Sequence, residues 1–250
     1  MSSLTERFDG ICERMARAAE RSGRSPDAVR LVAISKLHGA EAVAELALHW
    51  AGTRGDRPAC GESYVQEALA KKSDVAALLP DCPLDWHFVG HIQSRKSRDV
   101  VGEFSLLHSV DSLKLAGALQ KAWQARVRET PVGLHEPAPG PQELLVQVNI
   151  GREPQKSGVD PDELEELLSG IAAMPELRVE GLMCIPPNLD APEEARRYFS
   201  LLRELRDAVS ASCALALPHL SMGMSSDFEE AIEEGATLVR IGTDIFGSRV

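Results

Sequence analysis

The chain has 250 residues, 44% hydrophobic and 26% charged, which suits a soluble globular protein and fits either one α/β barrel or two small domains. Its 27 basic and 38 acidic side chains leave a formal charge of −11, which argues against general affinity for nucleic acid or anionic membranes but leaves room for a small local anion site. Five scattered cysteines, Cys12, Cys60, Cys82, Cys184 and Cys213, have no C-x-x-C spacing, so reduced thiols in the cytoplasm are expected and structural zinc is not.

Residues 3–22 carry Leu4, Phe8, Ile11, Met15 and Ala18 at helical spacing, the stripe of an amphipathic helix, with Gly23 as its stop. Glu and Arg recur where a secretory leader would have an apolar run, and no stretch reaches the ~20 apolar residues of a membrane span. Beyond Gly23, strand-like and helix-like segments alternate. Strands are predicted at 30–35, 58–61, 86–89, 106–110, 144–149, 177–184, 219–222 and 238–241. Helices are predicted at 41–49, 64–79, 93–102, 112–128, 161–173, 191–210 and 226–234, with 244–246 as a short final turn. Two stretches interrupt the rhythm: the polar loop 51–58, and 129–143, whose Pro131, Pro137, Pro139 and Pro141 predict a mobile surface loop. The alternation resumes after each, so residues 1–250 are read as one domain. Eight β-α repeats at this length imply a parallel sheet closed into a (β/α)8 TIM barrel with an extra N-terminal helix. A doubly wound open sheet is the alternative, and the missing Gly-rich fingerprint after the first strand counts against it.

Three places carry chemistry. Lys36 ends the apolar run Leu31-Val-Ala-Ile-Ser35, so its stem belongs to the core and its amine to the mouth of a pocket. Partial desolvation lowers an amine's pKa, and a neutral amine attacks an aldehyde to form a Schiff base; the alternative is a lysine that snorkels its charge to solvent. The run Ser221-Met-Gly-Met-Ser225-Ser226-Asp227 follows the seventh strand, with Ser226 and Glu229 at capping-box spacing. Backbone N–H groups and serine hydroxyls there would receive a phosphate, or the serines would only cap the helix. Gly242 and Thr243 offer a second set of donors after the eighth strand, and phosphates in barrels sit at the loops after strands seven and eight. Arg240 should point into the mouth, where it needs a partner: a carboxylate such as Glu62 or Asp244, or a ring nitrogen of a bound cofactor. Strand one neighbours strand eight in a closed barrel, so an amine, a phosphate cradle and an inward arginine share one pocket. That combination fits pyridoxal 5′-phosphate (PLP).

The stretches Leu31-Val-Ala-Ile-Ser-Lys36, Gly61-Glu-Ser-Tyr-Val-Gln-Glu67, Trp86-His-Phe-Val-Gly-His-Ile-Gln93, Gly181-Leu-Met183, Ser221-Met-Gly-Met-Ser-Ser-Asp227, Val239-Arg-Ile-Gly-Thr243 and Ile245-Phe-Gly247 resemble the YggS/PROSC family of PLP homeostasis proteins, relatives of the alanine racemase N-terminal barrel. The resemblance covers nearly the whole chain. It implies PLP held covalently on Lys36, contacts from Ser63, Met222, Ser225, Gly242 and Thr243, and Arg240 near the ring nitrogen. It further implies a monomer with a role in vitamin B6 homeostasis, little or no turnover, and transient contact with PLP-accepting apo-enzymes. Ser63 departs from the family, which has asparagine there; serine is shorter and lacks the amide donor.

Carrier and enzyme are both open. An arginine facing the pyridine nitrogen holds it unprotonated and weakens the ring as an electron sink, which favours a carrier. A two-base racemase needs an acid–base residue opposite Lys36, supplied in alanine racemases by an added β-domain; the sequence stops at Val250, so that domain is not expected. A weak PLP-dependent amino-acid racemase and a cofactor-free Schiff-base aldolase are the alternatives. His87 and His91 straddle Gly90 and should not share a face for a metal, and Tyr64, Met183 and Met222 are read first as packing residues. The basic stretch 95–98 is read as a solvated face and Lys156-Ser-Gly158 as a surface turn.

Overall fold

Residues 2–129, 140–189 and 191–247 are described by the computed structural model. The central part of the loop expected at 129–143, residues 130–139, lies outside them. Eight parallel strands close in chain order into one barrel: β1 (Arg30–Ile34), β2 (Ala59–Glu62), β3 (Asp85–Phe88), β4 (Leu106–Val110), β5 (Gln142–Val148), β6 (Leu177–Cys184), β7 (His219–Ser221) and β8 (Leu238–Ile241). The pairing of β1 with β8 closes the ring. The (β/α)8 expectation therefore holds, and the open sheet is excluded because the eight described strands form a closed ring.

Side chains alternate between two apolar sets, as the pleat requires. Val32, Ile34, Leu106, Leu145, Met183 and Leu238 fill the barrel interior. Leu31, Ala33, Cys60, Phe88, Leu107, Val146, Leu182, Leu220 and Val239 point outward into the layer covered by helices. The helices are α1 (Leu4–Arg21), α2 (Ala40–Thr53), α3 (Val65–Leu78), α4 (Ser97–Val100), α5 (Leu113–Glu129), α6 (Leu164–Ala172), α7 (Arg196–Cys213), α8 (Phe228–Glu233) and α9 (Thr243–Phe246).

The extra helix α1 starts at a true capping box, in which Ser3 accepts from Glu6 N and Glu6 reaches back to the Ser3 backbone. It buries Phe8, Ile11, Met15, Ala18 and Ala19, and Arg7 Nε donates to Ile245 O at 2.7 Å, fixing α1 against α9. Several helices are shorter than their apolar periodicity predicts. The segment at 93–102 breaks into a 3-10 turn, Ser94–Lys96, and the single turn α4. Pro161 and Pro192 open 3-10 turns that precede α6 and α7, because proline fits the first turn of a helix but cannot donate within it.

Candidate functional site

β1 stops at Ile34, one residue before its predicted end, because the chain turns: His38 N donates to Ser35 O at 3.1 Å and Leu37 sits in the left-handed region at φ 65°. Val32 and Ile34 face the interior, Ser35 faces outward, and Lys36 follows in the turn at the C-terminal end of β1, half-buried. A buried polar cluster lies behind this turn. Ser35 Oγ donates to Glu62 Oε1 at 2.7 Å. Lys71 Nζ, from α3, donates to Ser35 O (2.7 Å), Glu62 Oε1 (2.8 Å) and Glu67 Oε1 (2.9 Å). Glu67 Oε1 also accepts from Leu37 N at 2.6 Å. Glu62 is fully buried; burial pushes its carboxyl up against the opposing pull of Lys71 and Ser35.

The register Ala33↔Ile241 places residue 242 beside Ile34. A Cβ at Gly242 would stand 3.2 Å from both Ile34 Cβ and Ile34 O, so glycine lets the end of β8 close tightly on the end of β1. Among the described residues, the backbone N–H groups of Ser225, Gly242 and Thr243 have no acceptor in the chain. Ser225 and Gly242 are half-buried and Thr243 is exposed, so these donors face a wet rim.

The capping box expected at Ser226 does not form. The helix begins at Phe228, Asp227 Oδ1 accepts from Met224 N at 2.6 Å, and Glu229 turns away to Arg14 (2.8 Å) and Arg21 (2.9 Å) of α1. Charged partners on a neighbouring helix outcompete a local backbone donor. Met222 is fully buried in the helix-facing layer, so its side chain points away from the barrel interior. Ser63 is half-buried at the end of β2, with its backbone pressed against Gly90, where a Cβ would meet Ser63 O at 2.3 Å.

Arg240 points into the barrel at 5% exposure. Its Nη1 donates to Ser221 Oγ at 2.6 Å and its Nη2 to Cys184 O at 2.9 Å. The carboxylate partners considered for it are engaged elsewhere: Glu62 with Lys71, and Asp244 with Arg14 at 3.6 Å. Burial pushes its guanidinium below the ordinary value. From Ser221 the chain of hydrogen bonds continues to His108 Nδ1 at 2.9 Å, and from His108 Nε2 to His87 Nδ1 at 3.0 Å. Burial, reinforced by Arg30, pushes His87 down to about 3; burial, then His87 and Arg240, hold His108 well below its usual range. With both rings neutral, one set of roles leaves no hydroxyl proton stranded: Ser221 donates to His108, and His108 donates to His87.

Neither this column nor the Glu62–Glu67–Lys71 cluster stands out in the sequence. Their only traces are the period-two placement of His87 in its strand and the four-residue spacing of Glu67 and Lys71 on a helix. His87 lies inside the barrel and His91 at its exposed rim, so they share no face. Tyr64, read first as a packing residue, is 54% exposed at the start of α3. Lys156 is bound to Glu153 (2.6 Å) and to Pro186 O (2.9 Å), which ties two loops together.

The family described as alanine racemase, N-terminal domain, matches residues 9–250. The chain is 42% identical over 245 residues to the pyridoxal phosphate homeostasis protein of Aquifex aeolicus, covering 98% of this chain and 97% of that one. It is 40% identical over 253 residues to the protein of that name from Escherichia coli K12, covering 100% and 98%. PipY of Synechococcus elongatus, solved with PLP bound, superposes with a TM-score of 0.77 at 33% identity over 98% of this chain and 100% of its own. Alanine racemase of Corynebacterium glutamicum, at 20% identity and a TM-score of 0.66, shares the fold; this chain covers 61% of its length.

Proposed function

Because the chain belongs to the YggS/PROSC family of pyridoxal phosphate homeostasis proteins, we propose that it binds PLP through a Schiff base on Lys36 and serves as a cofactor carrier without catalytic turnover. The observation that carries this reading is the meeting of three features at one mouth: the Lys36 turn, open N–H donors beside it across the β1–β8 seam, and a buried arginine with only neutral hydrogen-bond partners.

The residues fit the group. PLP supplies an aldehyde and an anionic phosphate. The N–H groups of Ser225, Gly242 and Thr243, with the serine and threonine hydroxyls, would hold the phosphate. Gly242 permits the close backbone approach such a cradle needs. Arg240 keeps donors beyond the two it spends on Ser221 and Cys184, and these would serve a ring-nitrogen acceptor. Lys36 would supply the amine that condenses with the aldehyde, with loss of water. Ser63 and the backbone of Met222 would border the same mouth. In this reading residues 1–250 act as one domain and as a monomer in the cytoplasm, with apo-enzymes as transient recipients of the cofactor.

Adding PLP to the purified protein should produce a visible absorption band that Lys36→Ala abolishes. Borohydride treatment followed by peptide mass spectrometry should place the adduct on Lys36. An adduct elsewhere, or none, overturns the proposal. Cα proton exchange of alanine or serine in heavy water at an enzyme-like ~1–10³ per second would replace the carrier with a racemase.

A further inference from the structure

The peptide groups on both sides of Lys36 are held by one cluster. On the near side, Ser35 O accepts from Lys71 Nζ (2.7 Å) and Ser35 Oγ donates to Glu62 Oε1 (2.7 Å). On the far side, Leu37 N donates to Glu67 Oε1 (2.6 Å), and Lys71 Nζ binds that same oxygen at 2.9 Å. The three donors of the Lys71 ammonium thus meet three acceptors, and one of them bridges to the residue after Lys36. Leu37 needs this support. It is a branched residue at φ 65°, where a side chain crowds its own backbone, and at 55% exposure it has little packing to hold it there.

We infer that Glu67, braced by Lys71, is a positioning residue for Lys36: it clamps the strained turn at Leu37 and so sets where the amine stands and how fast it captures an aldehyde. Glu62 anchors the clamp to β2, and Lys71 neutralises it, so the cluster acts as a stiff strut between β1 and α3. Lys36 is then presented on a fixed backbone. Misplacement of a reacting group by about 1 Å costs up to ~100-fold in rate, so a loose turn should be visible in the kinetics.

The inference rests on Lys36 as the attachment point, and the experiment separates the two. Wild-type protein and the variants Glu67→Ala, Glu67→Gln, Leu37→Gly and Glu67→Ala/Leu37→Gly are compared by two readouts. The first is amide hydrogen exchange at Leu37 in protein free of PLP, which reports the clamp alone. The second is the rate at which the visible band appears after mixing with PLP. Glu67→Ala should expose the Leu37 amide to exchange and slow the band by about 10- to 100-fold. Glu67→Gln keeps the acceptor oxygen and should stay close to wild type in both. Leu37→Gly removes the left-handed strain and, added to Glu67→Ala, should recover about 5-fold of the lost rate. Unchanged exchange in Glu67→Ala, or a folded Glu67→Ala that captures PLP at the wild-type rate, overturns the inference. A wild-type protein that forms no adduct at Lys36 overturns the proposed function instead, and the exchange measurement still decides the clamp.

Discussion

Two arginines point into this barrel from neighbouring strands, and they are treated differently. Arg30 begins β1 at the N-terminal end of the barrel, where its guanidinium binds Asp85 and Arg57 O; Arg57 closes on the other Asp85 oxygen at 3.0 Å. Arg240 lies toward the C-terminal end of β8 and has a hydroxyl and a carbonyl but no carboxylate partner among the described residues. Asp227 acts on it only through space, and a buried cation without a direct ion pair is costly, so it persists where something else compensates for it. At the start of β1 the arginine is neutralised by direct ion pairing with Asp85. At the end of β8 the arginine has only neutral hydrogen-bond partners, which suits it to an electron-rich ligand. His87 and His108 form a neutral column between them, each depressed in part by the arginine at its own end.

Acid is the strongest way to break this arrangement. In the unfolded chain both histidines take up a proton as pH falls below ~6.5, whereas in the folded chain His87 resists down to about 3 and His108 resists as well. The unfolded state therefore binds more protons throughout that window, and stability is lost as pH falls from ~6.5, at up to about 1.4 kcal/mol per pH unit for each ring. Melting curves between pH 7 and 4.5 should show the loss, and His87→Gln should flatten it. A slope indifferent to His87 would mean that other groups govern the acid limit.

Arg240→Met should weaken PLP retention by ~10- to 100-fold, the worth of a charge-assisted hydrogen bond, while the cofactor-free protein melts no lower than wild type because a buried charge without a direct ion pair has been removed. Equilibrium titration against PLP with parallel melts checks both halves; equal retention by the variant would erase the distinction between the two arginines. Arg30→Met should do the reverse: PLP binding unchanged and stability lower by about 1 kcal/mol, since Asp85 keeps Arg57.

The fold was legible because barrels leave a strong imprint on sequence. Eight apolar runs separated by amphipathic stretches admit few topologies, and all eight predicted strands exist with their ends shifted by no more than two residues. The lysine after the first strand and the small-residue loops after the seventh and eighth were legible for the same reason, as ends of elements. Failures were local. Ser226 and Glu229 have the spacing of a cap, yet Glu229 is drawn to Arg14 and Arg21, more than two hundred residues earlier. Tyr64 has the size of a core residue, but its place at the start of α3 turns it to solvent.

The sequence by itself determined the order of the elements, the inward or outward side of each strand residue, and the position of Lys36 at the end of β1. Periodicity and chain order carry that information without any knowledge of neighbours. Only the tertiary structure decided which polar groups meet. Closure of the ring brought Gly242 beside Ile34, passed Arg240 to Ser221 and the two histidines, and set Glu67 and Lys71 behind Lys36. Such pairings depend on strand register and helix placement between residues distant in the chain, and a linear pattern does not encode a distance in space.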